Sequence, residues 1–413
     1  MAYSPYTISI ADSRIDDLKQ RLFLARFPDE LDSAAWDLGA PLADVKRLTA
    51  YWRDRYDWKQ AESKLNELPH YTTEIHVDGY DPLQIHFMYK KSNNTSAIPL
   101  LFVHGWPGSF IEGTKILQEL SHGTGSAPSF DVVVISLPNF GFSSGLCRRG
   151  FAIEQYAETC HKLMLKLGYN EYVTQGGDWG YYITRAISLL YPQHCKATHV
   201  NFDQGFQPTL TKHPILAIEH ALRPYNAYER EGGKRMDWFL KEGSGYRSQQ
   251  STKPQTLGYA LADSPVALLA WMYEKLHDWT DSYPWTEDEI CTWISIYWFS
   301  TAGPAASVRI YYEATHTWND PVRKITRDRT CRYIPHVKLG LSHNPKELRV
   351  LPSTWTRTQG NVVFERYHSS GGHFFAWERP EHCIQDMRDM FGKGGGAYGC
   401  VKGKDGYGAV AKL

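Results

Sequence analysis

The sequence predicts an α/β fold: one mostly parallel, eight-stranded sheet flanked by helices, interrupted by a helical insertion and preceded by a helical meander. Three observations predict it. Short apolar runs, suited to strands covered on both faces, alternate with amphipathic helical stretches on either side of the chain's middle. From about residue 206 to 325 that alternation gives way to helical segments rich in Tyr and Trp. A Gly-rich pentapeptide, Gly176-Gly177-Asp178-Trp179-Gly180, sits directly between a strand signal and a helix signal.

The first seventy residues read as a helical meander, with amphipathic stretches around Ile15–Ala25 and Leu42–Trp58. Thr73–Val77 and Leu83–Tyr89 flank a turn at Gly79 and predict a hairpin. Ile98–Val103 is a short strand ending at His104-Gly105, and Asp131–Leu137 is the clearest buried strand. Ile153, Tyr156, Ala157, Cys160, Met164 and Leu167 recur at helical spacing, stopped by Gly168. Tyr172–Gln175 predicts a strand, Tyr181–Tyr191 a helix closed by Pro192, and Ala197–Phe202 another strand. Strand character returns at Tyr333–Leu341 and Asn361–Arg366. The predicted divisions are a meander over 1–70 packing on core and lid, a core over 71–205 and 326–391, a lid over 206–325, and a flexible Gly- and Lys-rich tail over 392–413.

A chain of 413 residues is long enough for one large domain with an insertion. Its formal net charge of zero gives no footprint for nucleic acid or an anionic membrane. Its 7 Cys are odd in number and lack metal-ligand spacing, so they read as reduced thiols, with a cytoplasmic location expected. No apolar run reaches the length of a membrane span and no signal-peptide core is seen.

The pentapeptide has the spacing of a nucleophile elbow, in which a sharp strand-to-helix turn demands small residues two positions either side of the central one. Gly176 and Gly180 meet that demand, and Asp178 stands where Ser is usual, which points to an α/β-hydrolase fold with a carboxylate nucleophile. The bland alternative is a Gly-rich turn with Asp178 as a helix N-cap. A rival elbow, Gly141-Phe142-Ser143-Ser144-Gly145, is separated from its strand by Pro138-Asn139 and from the next helix by Cys147-Arg148-Arg149-Gly150, so it reads as a loop. His104-Gly105-Trp106-Pro107-Gly108 follows a strand and makes the backbone N–H groups of Trp106 and Trp179 the candidate oxyanion donors. Among 17 His, His373 lies just after the last strand signal, and Glu347 is the carboxylate in the loop before it, with Asp203 as backup. The order nucleophile, acid, histidine is the one expected on this fold.

Together, His104-Gly105-Trp106-Pro107, the Gly-Gly-Asp-Trp-Gly elbow and Gly371-Gly372-His373-Phe374 resemble the epoxide hydrolases of the microsomal type, and among them the soluble fungal members. Arg26-Phe27-Pro28 and Tyr51-Trp52 through Tyr56-Asp57-Trp58 are similar to that family's N-terminal pattern, and the resemblance covers roughly residues 4 to 391. It implies two lid tyrosines on the epoxide oxygen, matched by Tyr246 and Tyr311, with Tyr312 adjacent to the second. Membrane-bound members carry an N-terminal anchor and this sequence shows none, so a soluble enzyme is expected; Glu347 stands where several fungal members have Asp.

The expected activity is conversion of a small apolar epoxide and water to a vicinal diol. The expected route is an ester on Asp178, cleared by water that His373 and Glu347 activate, with Trp106 and Trp179 also lining the substrate pocket. No metal or organic cofactor is called for. Neither nucleic acid nor a stable membrane anchor is an expected partner, and a homodimer stays open. The alternatives are a haloalkane dehalogenase, which needs halide donors in place of paired tyrosines, a serine esterase using Ser143, and a non-catalytic ligand-binding protein of the same fold.

Overall fold

A computed structural model describes residues 3–123, 125–316 and 325–408. The predicted lid positions 317–324 and the tail beyond 408 lie outside the described residues. The strands are β1 (Ser4–Pro5), β2 (His70–Ile75), β3 (Leu83–Lys90), β4 (Ile98–Val103), β5 (Phe130–Ile135), β6 (Tyr172–Gly176), β7 (Cys195–Val200), β8 (Ile334–His343) and β9 (Gly360–Tyr367). They form a nine-stranded sheet in the order β1-β2-β3-β5-β4-β6-β7-β8-β9. Every pairing from β5 to β9 is parallel, and those joining β1, β2, β3 and β5 are antiparallel. The α/β-hydrolase fold is therefore as expected, with one strand more than the eight expected. The ninth is the two-residue Ser4–Pro5 edge, too short and too exposed to leave a periodic signal.

β4 and β5 are buried along their whole length, which is why they read as unbroken apolar runs. The crossovers leave the carboxyl ends of β4, β6, β7, β8 and β9 along one rim, where ligands bind in open α/β sheets. The insertion lies over that rim as helices, among them Gly245–Thr252, Pro265–Asp278, Glu287–Trp298 and Arg309–Thr315.

The N-terminal helices Asp12–Phe23 and Leu42–Asp54 pack against this insertion. The Trp52 indole donates to Ser295 Oγ at 3.0 Å, and the Tyr56 and Thr292 hydroxyls lie 3.0 Å apart. Helix Glu287–Trp298 also reaches the core: Trp293 Nε1 donates to the Pro107 carbonyl at 2.6 Å and the Tyr297 hydroxyl to the Gly108 carbonyl at 2.5 Å.

The tail corrects its expectation. Up to Gly408 it is packed rather than free: Ala397 and Val401 are buried, and the Gly406 carbonyl accepts from Ser129 N at 3.1 Å and Asn94 Nδ2 at 2.7 Å. Glycine content alone suggested freedom; in fact Gly395 and Gly396 sit so close to the Asp389 and Val363 carbonyls that a side chain has no room. Among the described residues, no helix is long and apolar enough to cross a membrane.

Candidate active site

β6 runs through Gly177 into the helix Trp179–Leu190, and Asp178 sits at the turn with φ 48° and ψ −122°. A non-glycine residue in that conformation stores strain of roughly 1–3 kcal/mol, a cost that recurs at functional positions. The surrounding glycines are obligatory for contact reasons. A Cβ on Gly180 would lie 1.9 Å from the Val103 carbonyl oxygen, one on Gly176 would lie 2.5 Å from that of Gly180, and one on Gly105 would lie 2.3 Å from Asp178 Oδ1. The elbow therefore presses directly against the loop that follows β4.

That loop supplies the first contact. Trp106 N donates to Asp178 Oδ1 at 2.8 Å, while its ring is buried below the insertion. The Trp106–Pro107 peptide is cis. His104 fixes the loop from beneath: its Nδ1 donates to the Gly105 carbonyl at 3.0 Å and its Nε2 accepts from Leu137 N at 3.2 Å. Burial holds the His104 imidazole down to about 4, so it is neutral in that arrangement. Trp179 opens the helix after Asp178, where backbone N–H groups have no intrahelical partner.

The loops after β8 and β9 bring Glu347 and His373 together. His373 Nδ1 and Glu347 Oε1 are 2.5 Å apart, and both side chains are almost wholly buried. Leu348 N donates to the same Glu347 oxygen at 2.7 Å. His373 N donates to the Trp279 carbonyl at 2.7 Å, and the two rings meet edge to face. Nε2 faces Asp178 Oδ2 at 3.4 Å, an ion-pair separation longer than a hydrogen bond. Burial opposes the His373 imidazolium, but the carboxylates of Glu347 and Asp178 on either side outweigh it and raise the ring to about 10.

The two lid tyrosines also converge here. The Tyr246 ring stacks on Trp106 with centroids 5.3 Å apart, the Tyr311 ring stands edge-on to Trp179 at 4.8 Å, and the two tyrosine rings lie 5.8 Å apart. Burial first, with the nearby Asp178 charge adding to it, pushes both hydroxyls upward, and the Tyr246 phenol raises that of Tyr311 further, so both stay protonated. Among the described residues the Tyr311 hydroxyl has no hydrogen-bond partner. Tyr312 faces outward, stacked on His316 and accepting from Arg149 Nη2 at 3.3 Å, which separates it from Tyr311.

The rival nucleophile and the backup acid are engaged elsewhere. Ser143 Oγ donates to the Ser136 carbonyl at 2.7 Å and accepts from His86 N at 2.9 Å, tying its loop to β3. Asp203 is paired with His343 Nδ1 at 2.9 Å. Sequence reasoning missed Trp279, Asn201 and Glu112, which join the site's wall through the fold and carry no local pattern.

Residues 3–113 match the family model for the epoxide hydrolase N terminus, and residues 98–201 match that for the alpha/beta hydrolase fold. The chain is 32% identical to epoxide hydrolase 1 of Sus scrofa over 413 aligned residues, covering 94% of this chain and 88% of that protein. Its structure is similar to that of the Aspergillus niger epoxide hydrolase, with TM-score 0.81, 33% identity and coverage of 94% and 95% of the two chains. It is also similar to the juvenile hormone epoxide hydrolase of the silkworm Bombyx mori, with TM-score 0.81, 28% identity and 93% coverage of each chain. A matched N-terminal segment, a matched core and similarity along nearly the whole chain converge on one assignment: this is a hydrolase, and it belongs to the epoxide hydrolase family.

Proposed function

We propose that the chain adds water to a small apolar epoxide to give a vicinal diol, through an ester on Asp178. The observation that supports this reading is one carboxylate facing two groups at once. On one side is the His373–Glu347 pair, and on the other two buried phenols framed by indoles.

Asp178 Oδ1 is held by the Trp106 N–H, which leaves Oδ2 to attack an epoxide carbon. A carboxylate displaces well at a strained three-membered ether, because opening the ring releases strain. The ring C–O bond breaks, its electron pair goes to the ring oxygen, and Tyr246 or Tyr311 gives that oxygen a proton. Ester formation also erases the Asp178 charge. The His373 imidazolium then loses one of its two carboxylates while the burial that opposes it remains, so it sheds a proton and becomes a base. That proton balances the one the tyrosine gave up.

Neutral His373, oriented by Glu347, takes a proton from water as the water oxygen bonds to Asp178 Cγ. The N–H groups of Trp106 and Trp179 hold the tetrahedral oxyanion, each worth about 3 kcal/mol. The bond from Cγ to the diol oxygen breaks, that oxygen is protonated, and Asp178 returns as a carboxylate opposite an imidazolium. Each atom and charge is restored with no bound group consumed.

Oxygen labelling tests the route. In a single turnover with styrene oxide in heavy-oxygen water, the label is expected in Asp178, and the first diol is expected to be unlabelled. Label in the diol with none in the protein would refute the ester. Phenylalanine at Tyr246 or Tyr311 is expected to slow ester formation roughly a hundredfold each, and phenylalanine at both by about 10⁴-fold, followed by stopped-flow fluorescence of the site tryptophans.

A further inference from the structure

Behind the nucleophile lies a cavity of about 10 Å³, the space one water molecule occupies. It is bounded by Asp178, His373, Trp106, Gly108, Phe375 and Glu112, and none of its lining residues comes from the helical insertion. It therefore opens on the face of Asp178 away from Tyr246 and Tyr311, and a substrate seated under the lid leaves it filled.

Glu112 reaches this cavity from the short turn Phe110–Gly113, capped by Ser109, whose Oγ accepts from Ile111 N at 3.3 Å. Its carboxyl group folds back over Gly108: a Cβ built there would lie 1.6 Å from Glu112 Oε1. The glycine is what allows the carboxyl group in. Nothing in the route through Asp178, His373 and the tyrosines employs this buried acid.

We propose that Glu112 holds the water that hydrolyses the Asp178 ester, a role that rests on the ester reading above. The water sits in the cavity with one hydrogen toward His373 Nε2 and the other toward a Glu112 carboxyl oxygen, which directs its lone pair at Asp178 Cγ. During attack the water oxygen bonds to Cγ and its proton passes to Nε2, while Glu112 keeps its own protonation state and serves as an acceptor. Burial, with the Asp178 charge adding and His373 opposing, raises the Glu112 carboxyl to about 8, so near neutral pH it adds no second anion beside Asp178. Tyr297, whose hydroxyl is bonded to the Gly108 carbonyl, and Glu347 are the other titratable groups that face it.

The test separates the two half-reactions. Glu112→Leu and Glu112→Gln are mixed with styrene oxide, quenched at intervals, and the alkylated protein is counted by intact mass. The Leu variant is expected to form the ester at the wild-type rate and clear it roughly a hundredfold more slowly, so that ester accumulates. The Gln variant keeps a carbonyl acceptor of the same reach and is expected to recover most of the loss. A purely structural role would lower stability without splitting the two rates. If the Leu variant does not fold, Glu112→Ala takes its place. Wild-type ester clearance in folded Leu or Ala protein would overturn the role of Glu112 alone. No ester in the wild-type enzyme or in any Glu112 variant, run alongside with Asp178→Ala as blank, would instead overturn the ester reading.

Discussion

Alanine at Asp178 is expected to abolish turnover, lowering kcat by about 10⁴-fold or more, because the group proposed to form the bond is removed. The same position carries a second expectation, about stability. Asp178 is held at φ 48° by the strand–helix turn, where any side chain is strained and glycine is not. Asp178→Gly is therefore expected to be as inactive as Asp178→Ala yet more stable than it by roughly 1–3 kcal/mol, read from chemical denaturation. Equal stability of the two variants would mean that the turn relaxes once the carboxylate has gone. Measurable diol formation by either would remove Asp178 from the chemistry.

Glutamine at His373 is expected to leave ester formation largely intact and to stop its hydrolysis, so that protein carrying one substrate mass builds up while steady-state turnover falls by about 10³-fold or more. The reasoning is electrostatic. In the free enzyme His373 is an imidazolium between two carboxylates, raised to about 10 despite its burial. The proposed ester would remove one of those carboxylates, and the pKa would fall from that value. The rate of ester clearance is therefore expected to rise with pH through the lowered pKa and to level off before the pKa of the free enzyme is reached, because the base must be unprotonated to act. The small clearance left in the glutamine variant is expected to lose that dependence. Rapid-quench mass measurements across pH supply both profiles, and a variant that turns over without accumulating ester would count against His373 as the base.

Much of this was legible in the residues because the chemistry is bound to sharp backbone features. The elbow at Asp178 needs glycine two residues away on each side, and the close approaches of Gly176 and Gly180 to backbone carbonyls show why. β4 and β5 are covered on both faces, and so appear as pure apolar runs. His373 and Glu347 were found from their order after successive strands, and the fold places their side chains in contact. Tyr246 and Tyr311 came only from resemblance, since nothing local separates them from other lid tyrosines; their convergence depends on two helices meeting from distant parts of the chain. Glu112 was invisible for the same reason, as its surroundings are assembled by loops after β4 and β9. The tail misled because glycine has two meanings, freedom or close packing, and only the neighbouring carbonyls at Gly395 and Gly396 decide between them.

Helix Glu287–Trp298 is bonded on one side to Trp52 and Tyr56 and on the other to the carbonyls of Pro107 and Gly108. Those contacts make the first seventy residues a remote part of the address of the loop after β4. A chimera that borrows the lid of a relative but keeps its own N-terminal segment would join surfaces that were never matched. Exchanging the two together, with the seam placed beyond Leu65, is the graft that keeps the Trp106 N–H aimed at Asp178.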